Sequence, residues 1–209
     1  MNTNYIITIG RQLGSGGKQI GKILSQKLDI PCYDKELIRL ASKESGLGME
    51  FFEEMDEKSQ HRFFSTFFQF RSGVMGNTTV NYLQNETLFK IQSDVIRSLA
   101  ERESCIFVGR CADYILRENP RCINIFISAD LEDRIRNVSQ IMQIEEKEAS
   151  NFINEMDKKR AGYYNYYSYK TWGISTSYHL CINSSLLGIE ETANFILSYF
   201  KKFRHLNFS

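Results

Sequence analysis

Apolar positions along this chain alternate between two spacings, one of strands and one of helices. Tyr5-Ile6-Ile7-Thr8-Ile9 is a short β-branched run, the composition of a buried strand. From Gln19 to Leu28 the apolar residues are Ile20, Ile23, Leu24 and Leu28, one face of a helix. Asp29 to Tyr33 reads as a short second strand. Asp34 caps a further helix, with Leu37, Ile38 and Ala41 as its apolar face and Gly46 and Gly48 at its end. Helical spacing returns from Thr87 to Glu103 through Leu88, Ile91, Val95, Ile96 and Leu99. Ser104 to Val108 is a third strand, apolar on both faces as a central parallel strand is. Arg121 to Ile127 is a fourth, and Ala129-Asp130-Leu131 opens the helix after it. His179 to Ile182 is a brief fifth strand, followed by a closing helix from Ile189 to Phe203. Strands alternating with helices predict an α/β fold: a five-stranded parallel sheet flanked by helices.

Met49 to Gly76 breaks this rhythm. Acidic Glu50, Glu53, Glu54, Asp56 and Glu57 precede Phe63, Phe64, Phe67, Phe68 and Phe70 at helical spacing. The stripe predicts a helix packed on its own domain or on a second subunit, which would make a homodimer through Phe63–Phe70. A cover over the substrate is the other reading, kept open by the loop Ser72-Gly73-Val74-Met75-Gly76-Asn77.

Composition narrows the class. A chain of 209 residues supports one substantial core. With 26 basic and 25 acidic residues it lacks the basic excess of a general nucleic-acid binder. The five cysteines are odd in number and form no C-x-x-C pair, and the three histidines are scattered. The expectation is therefore reduced, buried thiols, no zinc site and a cytoplasmic setting. Met1-Asn2-Thr3-Asn4 leads straight into the first strand, so no secretory leader is expected. No apolar run approaches the roughly 20 residues of a membrane span.

The chemistry is concentrated at strand ends, where such sheets bind ligands. Between the first strand and first helix stands Gly10-Arg11-Gln12-Leu13-Gly14-Ser15-Gly16-Gly17-Lys18. Glycines let backbone N–H groups approach an anion, and the helix behind them adds its unpaired N–H groups and positive dipole end. Gly14, Ser15, Gly16, Gly17, Lys18 and Gln19 are thus candidates to cradle phosphate. The nucleotide-binding pattern puts a lysine directly after the last glycine of the turn and a hydroxyl next. Aligned on Gly14-Ser15-Gly16, the lysine position holds Gly17. Lys18 follows one residue late, and Gln19 stands where the hydroxyl is expected. The dinucleotide fingerprint fits less well, for want of its third glycine.

Asp34 follows the second strand and Arg110 the third. A guanidinium there can grip a phosphate, or pair structurally with Asp113 three residues on. Before the fifth strand runs Asp157-Lys158-Lys159-Arg160-Ala161-Gly162-Tyr163-Tyr164-Asn165-Tyr166-Tyr167. Three cations at a helix end suit a solvated face and the dipole. A basic, aromatic, glycine-hinged segment also suits closure over polyphosphate, with Asp157 orienting Arg160, or contact with RNA. Arg134 and Arg136 are weaker candidates.

Five segments together resemble the cytidylate kinase-like family, a branch of the P-loop nucleoside monophosphate kinases. They are Ile7 to Gly17, Pro31 to Ile38, Phe107 to Leu116, Asp157 to Tyr164 and Tyr178 to Ser185, and the resemblance is weakest from Met49 to Asn85. It implies one P-loop kinase-like domain: a core of residues 1–48, 86–142 and 176–209, a helical acceptor-binding insert at about 49–85 and a lid at about 143–175. It implies ATP with Mg²⁺ as donor and CMP or dCMP as acceptor, with no nucleic-acid or membrane partner. Carried over by position, Gly14 to Lys18 would hold the donor phosphates and Arg110 the acceptor phosphate. Asp157 and Arg160 would belong to the lid, with Arg160 steadying the transferred group. Lys158, Lys159, Asp34 and Asp113 are further substrate-side candidates, and no residue is assigned as a metal ligand. The chain departs from true cytidylate kinases at Gly17 and Gln19, and at Val108 and Cys111, where those enzymes carry aspartates. A nucleotide-binding regulatory module, or a kinase of another small phosphate acceptor, therefore stands beside CMP phosphorylation.

Overall fold

The computed structural model describes residues 4–34 and 82–208. The helix read after Asp34 and the Phe63–Phe70 stripe lie outside the described residues. The chain divides into two compact units, one of Met1–Lys35 with Arg97–Ser209 and one of Glu36–Ile96.

The described elements are β1 (Ile6–Arg11), α1 (Gly17–Leu28), β2 (Cys32–Tyr33), α2 (Tyr82–Arg102), β3 (Cys105–Val108), α3 (Ala112–Ile115), β4 (Cys122–Ser128), α4 (Leu131–Met142), α5 (Glu146–Ser168), β5 (Leu180–Asn183) and α6 (Gly188–Phe208). The five strands are parallel, in the order β2-β3-β1-β4-β5. The predicted fold class is therefore the observed one. Two of the long helices outrun their predicted bounds: α2 starts at Tyr82 rather than Thr87, and α6 runs on past Phe203. No proline interrupts either extension.

Alternation along the strands sorts the two faces of the sheet. Ile7, Ile9, Ile106, Val108, Ile123, Ile125 and Ile127 face Ile20 and Leu24 of α1 and Ala193, Ile196 and Phe200 of α6, in one buried cluster. The register explains the coherence, since Ile7 lies opposite both Ile106 and Ile123, and Ile9 opposite both Val108 and Ile125. On the other face Thr8 meets Asn124, its hydroxyl donating to Oδ1 at 2.7 Å. A smaller apolar cluster of Val138, Ala149 and Ile153 joins α4 to α5.

This topology sets the site. The chain leaves β1 toward β2 on one side and leaves β4 toward β5 on the other. The crevice at which ligands bind in such sheets therefore opens beyond the carboxyl ends of β1 and β4, beside that of β3.

Candidate functional site

The loop between β1 and α1 makes its sharp turn through two left-handed glycines, Gly14 (φ 81°) and Gly16 (φ 75°). Its outward side is held by side chains from three later elements. Arg134 Nε of α4 donates to the Leu13 carbonyl at 2.7 Å, and Asn137 Nδ2 donates to the Gly14 carbonyl at 2.9 Å. The Ser184 hydroxyl, just past β5, donates to the Ser15 carbonyl at 2.8 Å. Arg160 of α5 donates to the Arg11 carbonyl at 3.3 Å. Four carbonyls are thus turned toward the protein. At the start of α1, Ile20 N–H makes the first helical bond, to the Gly16 carbonyl at 2.9 Å. The N–H groups of Gly17, Lys18 and Gln19 precede it and have no intrahelical acceptor. With these carbonyls tied back, the arrangement can cradle an anion at the start of α1.

Asp157 is the hub of the tie. Its Oδ1 accepts the Leu13 N–H at 2.9 Å and its Oδ2 pairs with the Arg134 guanidinium, while Arg160 lies 3.9 Å away. Arg134 is only 6% exposed. Burial pulls the Arg160 guanidinium below its ordinary value, and Asp157 opposes that pull. Among the described residues, the other N–H groups of Arg160 have no protein partner.

Helical geometry explains how four neighbouring charges divide. Asp157 and Arg160 lie three apart and face the loop. Lys158 and Lys159 are turned outward and exposed, and Lys159 pairs with Glu155 one turn back. The expected glycine hinge and helix end are absent here. The 23-residue helix α5 passes through Gly162 without a break, so the cations sit in mid-helix and gain nothing from the dipole.

Lys18 is exposed and turned to the end of β2, with Nζ 2.6 Å from Asp34 Oδ2. Gln19 is exposed beside it. The Ser15 hydroxyl is committed to the Gln12 carbonyl at 2.9 Å. Among the described residues no cluster of His, Cys, Asp or Glu is set to hold a metal ion.

Arg110 follows Gly109 in a run of three left-handed residues, with φ of 81°, 60° and 54° at Gly109, Arg110 and Cys111. Two of these are not glycine, a conformation costing roughly 1 kcal/mol each. The turn carries Arg110 toward α5, where its guanidinium lies 5.9 Å from the centre of the Tyr163 ring. Burial pushes the Tyr163 hydroxyl up, and the Arg110 charge works against that shift. Asp113 is not the partner of Arg110. It is 7% exposed and accepts the Tyr164 hydroxyl at 2.7 Å. Among the described residues Arg110 has no carboxylate partner.

The sequence reading missed Asn137 and Ser184 altogether and ranked Arg134 low. The usable signal was Arg134 and Asn137 on the same helix face as apolar Val138, where a polar group needs an acceptor. Nothing in the local sequence marks Ser184 as a brace for a loop 169 residues away.

The profile of the cytidylate kinase-like family matches residues 6–186. A comparison with curated proteins finds no match. Among solved structures the chain is similar to an uncharacterized protein from Eubacterium ventriosum ATCC 27560, at 29% identity and a TM-score of 0.70, covering 95% of this chain and 99% of that one. It is also similar in fold to a shikimate kinase from Bacteroides thetaiotaomicron (15% identity, TM-score 0.54, 94% and 98% covered). A gluconokinase from Sinorhizobium meliloti 1021 has the same fold (8% identity, TM-score 0.53, 97% and 94% covered).

Proposed function

The chain belongs to the cytidylate kinase-like family, and from that premise we propose that it transfers the γ-phosphoryl group of ATP to a nucleoside monophosphate, CMP or dCMP. The observation that carries this reading is the cradle at the start of α1, whose loop carbonyls are tied back by Arg134, Asn137, Ser184 and Arg160. Phosphate is the ligand such a cradle suits, by charge and by donor direction.

In the proposed reaction a phosphate oxygen of the acceptor attacks the γ-phosphorus in line. The bond from that phosphorus to the bridging oxygen of ADP breaks, leaving ADP and the nucleoside diphosphate. The attacking group is already an anion, so no base is required, and catalysis is positioning and charge stabilisation. The N–H groups of Gly16 to Gln19 hold the donor phosphates. Arg110 holds the acceptor phosphate, and Arg160, anchored at the Arg11 carbonyl, turns its remaining donors to the transferred group. Asp157 acts through the loop. Mg²⁺ would supply positive charge to the donor phosphates when bound, and since the Ser15 hydroxyl is committed to the Gln12 carbonyl, phosphate oxygens and water would be its main ligands. A homodimer through Phe63–Phe70 is the proposed use of that stripe, and sedimentation of the full chain as a monomer would remove it.

The test is ADP release with Mg·ATP against CMP, dCMP, UMP, AMP and GMP. Release specific to CMP or dCMP is expected. Gly17 and the Lys18–Asp34 pair favour a second reading, a nucleotide-binding regulatory module. That reading predicts ATP binding without release on any monophosphate, and release on a different small acceptor would move the substrate assignment.

A further inference from the structure

The conventional loop cation has no side chain here, because residue 17 is glycine. The space that side chain would occupy is filled. A Cβ placed on Gly17 would lie 2.6 Å from Arg11 Cβ and 2.9 Å from Arg11 Cγ. Real Cβ atoms do not approach that closely, so an arginine at 11 in this pose and a lysine at 17 exclude each other. The same side chain ends at Gly109, whose added Cβ would collide with Arg11 Nη1 and lie 3.0 Å from Cζ. Arg11 therefore runs from the carboxyl end of β1, past the first residue of α1, to the carboxyl end of β3. Its own backbone is held there, since its carbonyl accepts from Arg160 at 3.3 Å. The neighbouring cation, Lys18, is exposed and matched to Asp34 at 2.6 Å.

We propose that Arg11 is the phosphate-binding cation of this loop, reaching from β1 into the place that Gly17 leaves open, and that Gly17 and Gly109 are small to let it pass. The proposal rests on the nucleotide-binding reading above and adds to it which residue meets the donor's terminal phosphates. A planar guanidinium matches two phosphate oxygens at once, which a lysine ammonium does not. The chain thus keeps the charge of the usual pattern and moves its point of attachment six positions back, from residue 17 to residue 11.

The test is calorimetric titration of the full-length protein with Mg·ATP, with a thermal melt of every variant. Arg11→Gln is expected to weaken binding by ~10- to 100-fold. Lys18→Gln, which breaks an exposed ion pair, is expected to weaken it by less than about threefold. The paired change Arg11→Gly with Gly17→Lys removes the Cβ that a side chain at 17 would strike, rebuilds the usual pattern and is expected to regain most of the affinity lost in Arg11→Gln. If Arg11→Gln melts early, the paired variant decides. Recovered binding supports the proposal, and a folded paired variant without recovery overturns it. Wild-type affinity in Arg11→Gln, or a larger loss in Lys18→Gln, also overturns it while leaving nucleotide binding in place. A wild-type protein that does not bind Mg·ATP overturns the nucleotide reading itself, and this inference with it.

Discussion

A residue moved one place along a helix start is turned by about 100°, and that rotation takes Lys18 to Asp34. The residues holding the loop were chosen by distance in space. Asp157 accepts a loop N–H and neutralises Arg134, whose side chain is nearly enclosed. Replacing Asp157 by Asn keeps an acceptor for Leu13 N–H but strands the Arg134 charge. Breaking a buried pair in this way costs about 3 kcal/mol. Asp157→Asn is therefore expected to lower the urea midpoint by that equivalent and to weaken Mg·ATP binding through the loosened loop. Unchanged stability would mean that the pair contributes no net energy. The sequence could nominate Asp157 and Arg160 by type and spacing. It could not say that both work on the loop, because that contact spans more than 140 residues.

Among the elements, α5 differs most from expectation. Its run of cations and its glycine read locally as a helix end with a hinge, yet Tyr164 and Ser168 beyond the glycine are buried as Ala149 and Ile153 are before it, and one long helix results. Tertiary burial overrides local propensity there. An added Cβ at Gly162 meets nothing within 4 Å. Gly162→Ala is expected to stabilise the protein by roughly 0.5–1 kcal/mol, seen as a higher melting temperature, with turnover held at the parent rate. Slower turnover would show that the helix bends at 162 during the cycle. The strands were legible because β-branched runs between helical periods have few other uses, and their ends shifted by only a residue or so, except that β2 is trimmed to Cys32–Tyr33.

At the scale of the whole molecule, Asp113, a buried acid among the described residues, is expected to mark the pH dependence of stability. Burial raises the Asp113 carboxyl above its ordinary value of 3.8. A raised folded value means that the folded protein holds the proton more tightly. The associated stability is full below the ordinary value and is lost as pH rises toward the folded one. Asp113→Asn is expected to remove that loss, so the variant gains stability relative to the parent as pH rises through this window. Denaturant titrations across acid to neutral pH check it, and parallel profiles would place the carboxyl's cost elsewhere. Among the described residues no helix is long and apolar enough to cross a membrane. The α/β class and the glycine-rich turn were legible in the sequence alone, because local spacing and glycine content carry them directly, and the family was legible as a resemblance spread over five segments, within the residues 6–186 that the family profile matches. Only the tertiary structure decided which cation lies against the cradle, what braces it and how Asp113 is bound. Those contacts join β1 and the loop after it to β3, α4, α5 and the end of β5, and α3 to α5, and are made only when the parallel sheet brings distant strand ends side by side.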